Sequence, residues 1–263
     1  MIPIGDSTRS RTTPWVTYGI IILNVAIFVR MLTLSTSLPV TQAAQVRDFR
    51  DQTESVCYGF RTLPTELDRF ICRWGFQPGE FLDNAKGESE APGTNRLEVL
   101  FSIVTSMFLH AGWLHILGNM LFLWVFGDNI EDRLGHTRYL LFYLLAGTAA
   151  ALVQASVDPG SVVPVVGASG AVAGVLGAYM VYFPRATISV VIPFFVLIFI
   201  PLPVPAVVMI GIWFLQNLLA GLATVSDAAT PDSGVAFFAH IGGFLFGVVV
   251  AALFRRGGGH QRW

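Results

Sequence analysis

Gly167-Ala-Ser169-Gly170-Ala-Val-Ala-Gly174-Val-Leu-Gly177 is small, apolar and glycine-rich, and carries one hydroxyl, at Ser169. A long membrane-type run continues from it and ends near Pro184-Arg185. Two readings compete. One is a packing face, Gly170-xxx-Gly174, where missing side chains let helices approach closely. The other is a nucleophile at a helix N-terminus, where unpaired backbone N–H groups and the helix dipole stabilise an anion. Taken alone, the stretch favours packing. The rest of the chain shifts the balance to the nucleophile.

The chain has 263 residues, 54% hydrophobic and only 13% charged, with a mean hydropathy of +0.64. Soluble domains carry about a quarter charged residues, so this composition points to a polytopic membrane protein. The net charge of −1 says nothing about nucleic acid, but no basic cluster or RNA-binding motif appears, so no nucleic-acid partner is expected. The two cysteines, Cys57 and Cys72, both fall in the long polar segment 35–98. Without accompanying histidines they make no four-ligand zinc site. A disulfide and two separate thiols both remain open for them.

Six apolar runs are long enough to be read as spans, at about 15–34, 113–130, 139–157, 169–184, 206–224 and 235–254. The first is too long for a typical signal-peptide core and reads as a retained helix. Segment 35–98 forms a first loop, with a pair of short amphipathic helices expected around 61–81. Residues 186–202 are apolar but broken by prolines. Gln216 and Asn217 read as interhelical hydrogen-bonding groups. Arg9, Arg11, Arg133, Arg138, Arg185, Arg255 and Arg256 fall at ends that share one side in a six-span chain. The loops 158–166 and 225–234 carry no Lys or Arg. This pattern predicts cytoplasmic residues 1–14 and 255–263, and an extracytoplasmic 35–98. The whole of 1–263 is expected to form one membrane domain, in a bacterial plasma (inner) membrane.

Four polar residues interrupt the apolar spans. His115 and Asn119 are four apart and share a helical face. Ser169 opens the fourth span, and His240 lies in the first turns of the sixth. Ser169 is sixteen residues from Arg185, His240 fifteen from Arg255, and His115 and Asn119 sixteen and twelve from Glu131. At ~1.5 Å per residue all four lie about 18–24 Å above the inner boundary. They therefore share one layer, roughly 6–12 Å below the outer surface of a ~30 Å core. Polar groups at such depth are expensive and usually functional. His240 suits the general base for Ser169, as a dyad, because no carboxylate lies at that depth. Asn119, His115 and the Ser169 backbone N–H suit an oxyanion site. There is no HExxH motif and no acidic residue at the right depth, which argues against a metal, and no cofactor is called for.

His110-Ala-Gly-Trp-Leu-His115-Ile-Leu-Gly-Asn119, Gly167-Ala-Ser169-Gly170, Ala239-His240-Ile-Gly-Gly243 and Glu131-Asp-Arg133-Leu-Gly135 together resemble the rhomboid family of intramembrane serine proteases. The match covers roughly 105–254. It implies an all-α, six-helix rhomboid-like bundle that cleaves single-span membrane proteins near a helix end, within the lipid bilayer. By resemblance, Ser169 is the nucleophile, His240 the base, and Asn119 and His115 line the oxyanion site. Gly243 lets the sixth helix approach the fourth, and Glu131 and Arg133 are structural. The sequence departs from the family at Ala173, where many members stack an aromatic ring on the histidine, and in lacking the first-loop Trp-Arg pair. The rivals are an inactive client-binding relative and a small-solute transporter; no internal repeat supports the latter.

Overall fold

The computed structural model describes residues 1–34, 36, 65–87, 96–191, 201–226 and 235–257. In chain order these form β1 (Ile2–Asp6), α1 (Trp15–Leu32), α2 (Glu66–Trp74), α3 (Pro78–Lys86), α4 (Arg96–Thr105), α5 (Trp113–Leu134), α6 (His136–Val157), α7 (Ser169–Tyr182), β2 (Thr187–Val191), β3 (Leu202–Pro205), α8 (Ala206–Ser226) and α9 (Phe237–Gly257). Helices α1, α6, α8 and α9 are long and apolar enough to cross a membrane. A fifth span arises if the segments Arg96–Phe108 and Trp113–Leu134, bent by 80°, count as one. Helix α7 has only 14 residues and rises about 21 Å. That is short of the ~30 Å hydrocarbon core, so a helix of this length leaves one end inside it.

Helices cannot be driven together by hydrophobicity where the solvent is itself apolar, so close packing must do it. The glycines of α7 supply that packing. A Cβ built on Gly170 or Gly174 would sit 2.5 Å from the Cβ of Ala150 or Ala146 on α6. On α9, a Cβ at Gly243 or Gly247 would sit 2.0 Å from the carbonyl oxygen of Gly170 or Gly174. The packing face read from the sequence is therefore real, and it lies on the same helix as Ser169. Gly243 plays the part expected of it.

The ends of these helices are tied off by side chains. Glu131, fully buried, accepts from the backbone N–H of Val16 (2.9 Å) and Thr17 (2.8 Å) and from the Thr17 hydroxyl (2.7 Å). It thus satisfies the open N-terminus of α1. Arg133 lies over the Tyr182 ring at 5.1 Å, and Arg255 donates to the Val181 carbonyl at 3.0 Å. Both hold the C-terminal end of α7.

A small sheet at that end was not expected from the sequence. β1 pairs antiparallel with β2, and β2 with β3. Ile188 and Val190 are buried while Thr187, Ser189 and Val191 are half-buried, the period of two of a strand with one covered face. Pro3, Pro203 and Pro205 fall on the outer strands, where a missing N–H is tolerated. Asp6 ties β1 to the bundle: its carboxylate accepts from the Tyr179 hydroxyl and from the Asn129 amide at 3.1 Å. The proline-broken run therefore begins and ends as strands; 192–200 lie outside the described residues. The hairpin pins the start of α8, where Ala206 donates to Ala186 (2.8 Å) and Val207 to Pro184 (3.3 Å).

The two short helices expected in the first loop are α2 and α3. Thr65 and Asp68 form a reciprocal capping box at the start of α2. Cys72 on α2 is buried and disulfide-bonded; Cys57 lies outside the described residues.

Candidate active site

Ser169 begins α7 at the floor of a segment that hangs from the first loop. Phe76 and Val165 exchange backbone hydrogen bonds of 3.1 and 2.7 Å, and Gly79 donates to Ser161 at 2.9 Å. The Gln77 amide donates to the Val162 carbonyl. Below them Gly167 donates to Ser106 at 2.9 Å. Gly167 has φ +125°, a region glycine alone enters freely, and a Cβ there would lie 2.6 Å from His115 Nε2. The turn into Ser169 is thus built around the His115 ring. His110 is buried and accepts from the Ala168 N–H at 3.5 Å, so it touches the backbone just before the serine.

Helix α9 brings His240 to the same place. Gln154 on α6 caps its start by accepting from the Ala239 N–H at 3.2 Å. His240 Nε2 lies 2.8 Å from Ser169 Oγ, a hydrogen bond of ordinary length. Ser169, His240, His115 and Asn119 all line one cavity of about 590 Å³, together with Trp213 and Gln154. Asn119 donates one amide hydrogen to the His115 carbonyl at 2.9 Å, which leaves the second free. His115 Nδ1 accepts from the Ala111 N–H at 3.4 Å. A neutral imidazole that accepts at Nδ1 carries its proton at Nε2, the nitrogen facing Gly167.

Neither of two neighbours of His240 was placed in the site from the sequence, although Asn217 was expected to hydrogen-bond between helices, as it does to His240. Its Nδ1 lies 2.6 Å from Asn217 Oδ1. The Trp213 ring stands 5.9 Å from the imidazole, tilted by 39°. Both come from α8, four residues apart. Trp213 packs on His240 and Phe244 of α9 and lines the cavity with His115, Asn119 and Phe122 of α5. The adjacent amides Gln216 and Asn217 part company: Gln216 is exposed and Asn217 buried.

Close packing of α7 on α9 sets the serine–histidine distance. Gly243→Ala is expected to force α9 away from the Gly170 carbonyl. The cost is about 1–3 kcal/mol, the usual scale for overpacking, read as a lower unfolding temperature in detergent. Gly211→Ala on α8 meets nothing within 4 Å and serves as the neutral control. Equal stability of the two variants would contradict the packing role.

These features define a polytopic helical membrane protein with a serine and a histidine hydrogen-bonded inside the bundle. A family model described as the Rhomboid domain matches residues 98–257. The chain belongs to the rhomboid family. It is 33% identical over 153 residues to "Rhomboid protein 1, mitochondrial" of Saccharomyces cerevisiae, covering 56% of this chain and 40% of that protein. It is 32% identical over 151 residues to "Presenilin-associated rhomboid-like protein A, mitochondrial" of Danio rerio, covering 56% and 35%. "Rhomboid-like protein 11, chloroplastic" of Arabidopsis thaliana is 43% identical over 74 residues, covering 28% and 26%. The matched region spans about half or less of the length of these relatives.

Proposed function

We propose that this protein is an intramembrane serine endopeptidase that cleaves single-span membrane proteins within the lipid bilayer. The observation that carries the proposal is the 2.8 Å contact between Ser169 Oγ and His240 Nε2 inside a cavity also lined by His115 and Asn119. Ser169 Oγ attacks the scissile carbonyl carbon while His240 Nε2 takes the hydroxyl proton. The carbonyl oxygen becomes an oxyanion. It is held by the Ser169 N–H at the α7 N-terminus, by the free amide hydrogen of Asn119 and by His115 Nε2–H. The protonated His240 then gives its proton to the departing amine and the C–N bond breaks. Water, deprotonated by His240, attacks the acyl-serine; the acid is released and Ser169 regains its proton. Loss of backbone hydrogen bonds in lipid is costly, so the substrate helix unwinds at the cavity, where polar groups replace its own partners.

A serine-reactive fluorophosphonate tests this: native protein should be labelled and Ser169→Ala should not. Equal labelling of the two removes Ser169 as nucleophile. The oxyanion donors have a graded test. Asn119→Ala is expected to lower turnover by about 10²-fold, the scale for one lost donor, and His115→Ala by less while the other two donors remain. Unchanged turnover in the double variant would take both residues out of the mechanism.

The arginine distribution supports cytoplasmic termini and an extracytoplasmic first loop, with the serine end of the bundle facing outward. We propose a bacterial plasma membrane as the location; the relatives' names place those proteins in mitochondria and chloroplasts. A protease-accessible tag after residue 263 that is cleaved only in permeabilised cells is the expected result.

A further inference from the structure

We propose that Asn217 is a positioning residue for His240, so that the base is aligned only while α8 is seated against α9. The inference rests on the serine–histidine reading above. For His240 Nε2 to accept the serine proton, the ring's own proton must sit on Nδ1. The group facing Nδ1 must therefore be an acceptor. Asn217 Oδ1 lies 2.6 Å from Nδ1, and the direction of the amide is fixed independently. Its Nδ2 donates to the Trp213 carbonyl at 2.8 Å, which turns Oδ1 toward the imidazole. A neutral amide in this place selects a tautomer and an angle without bringing a charge into an apolar setting. Asparagine serves the same purpose behind the catalytic histidine of unrelated cysteine proteases.

The Trp213 ring limits the remaining freedom of the imidazole. At 5.9 Å it lies within the range of aromatic ring pairs. It stands in for the ring that Ala173 cannot provide from α7. Both orienting groups therefore come from α8, whose apolar window is 22% buried against 39% for α6 and α9. The start of α8 is pinned by the hairpin at Ala206. Asn217 is eleven residues beyond that pivot, about 16 Å along the axis. An outward tilt of about 10° would carry Asn217 roughly 3 Å away, past the reach of a hydrogen bond. A displaced α8 thus leaves Ser169 exposed to the bilayer but its base unaligned, and cleavage waits until the helix closes again.

The test uses the full-length protein in bilayers, with Asn217→Ala, Asn217→Asp and the control Ser169→Ala. Three properties are measured: unfolding temperature, kcat and KM on a membrane-spanning substrate, and the pH dependence of kcat/KM. Asn217→Ala should lose about 10- to 100-fold in kcat, the scale for losing a group that orients a functional histidine, with KM and unfolding temperature near native. Asn217→Asp keeps an acceptor and adds a negative charge that favours the imidazolium. It should recover much of the kcat and move the acid limb of the profile to higher pH. Native kcat in Asn217→Ala would overturn the proposal. So would a loss of kcat matched by a lower unfolding temperature, with the Asn217→Asp profile superimposed on the native one. Should Ser169→Ala itself cleave, the serine–histidine reading fails, and that result is distinct from the other two.

Discussion

Ser169→Ala and His240→Ala are each expected to abolish detectable cleavage of a membrane-spanning substrate while leaving a folded, inserted protein. The side chains are half-buried at the cavity wall, and beyond their own hydrogen bond the close α7–α9 approach is made by glycines against backbone carbonyls. Removing either should therefore change stability little. The catalytic loss should be large because the 2.8 Å pair works as a unit: a serine without its base is a weak nucleophile, and a base without the serine has nothing to activate. In groups that act together the single losses are each close to the combined loss, on the scale of 10⁴–10⁶-fold in kcat. The double variant should accordingly be no slower than either single one. Turnover by purified variants of a substrate with a reporter on each side of its membrane helix measures this. Cleavage at the native rate by either single variant would end the assignment.

Some of the site was legible because a membrane penalises polar side chains wherever they lack a purpose. Ser169, His240, His115 and Asn119 stand out from their apolar runs. Counting residues from the arginine-bearing ends placed them in one layer, and they do line one cavity. Helix spacing also gave the shared face of His115 and Asn119. Asn217 was harder for a geometric reason. It neighbours Gln216, and only the rotation of α8, set by packing on α9, decides which of two amides about 100° apart turns inward. The available signal was its spacing of four from Trp213, which puts a ring and an amide on one face. The expectation of a dyad followed from seeking a carboxylate behind the histidine; the observed neighbour is a neutral amide.

The strands were hidden for a different reason. β1 has five residues, two of them proline and glycine, and its partner β2 lies more than 180 residues away. Alternation over so short a stretch is too weak to distinguish from a polar tail. The prolines of 193–205 correctly excluded a continuous helix, but what the chain does instead depends on a partner strand that local sequence does not reveal. The same limit applies to α7. Its apolar run continues to Pro184, yet its helical part ends at Tyr182 and is short, so the serine end lies within the bundle rather than at its rim.

Covalent tethering of α5 to α8 is expected to stop cleavage of a membrane-spanning substrate and to spare fluorophosphonate labelling of Ser169. Both helices wall the cavity, α5 through His115, Asn119 and Phe122 and α8 through Trp213. A substrate helix is about 10 Å across and cannot pass between them without separation. The lightly buried α8 is the easier one to move: its apolar window is only 22% buried, its start is held by the hairpin, and beyond that it meets α9 through Trp213, Phe214 and Asn217. An oxidised cysteine pair bridging α5 and α8 on the cavity side would close that route. A small phosphonate needs no such opening, since the cavity already reaches Ser169. In the tethered protein Asn217 and Trp213 stay seated on His240, so the serine should react as in the native state. Reduction of the tether should restore cleavage in the same sample. If the oxidised protein cleaves the full substrate at the reduced rate, entry between α5 and α8 is wrong. If it loses labelling along with cleavage, the tether has disturbed the serine–histidine pair, and lateral entry has to be judged from a pair placed one turn further from Trp213.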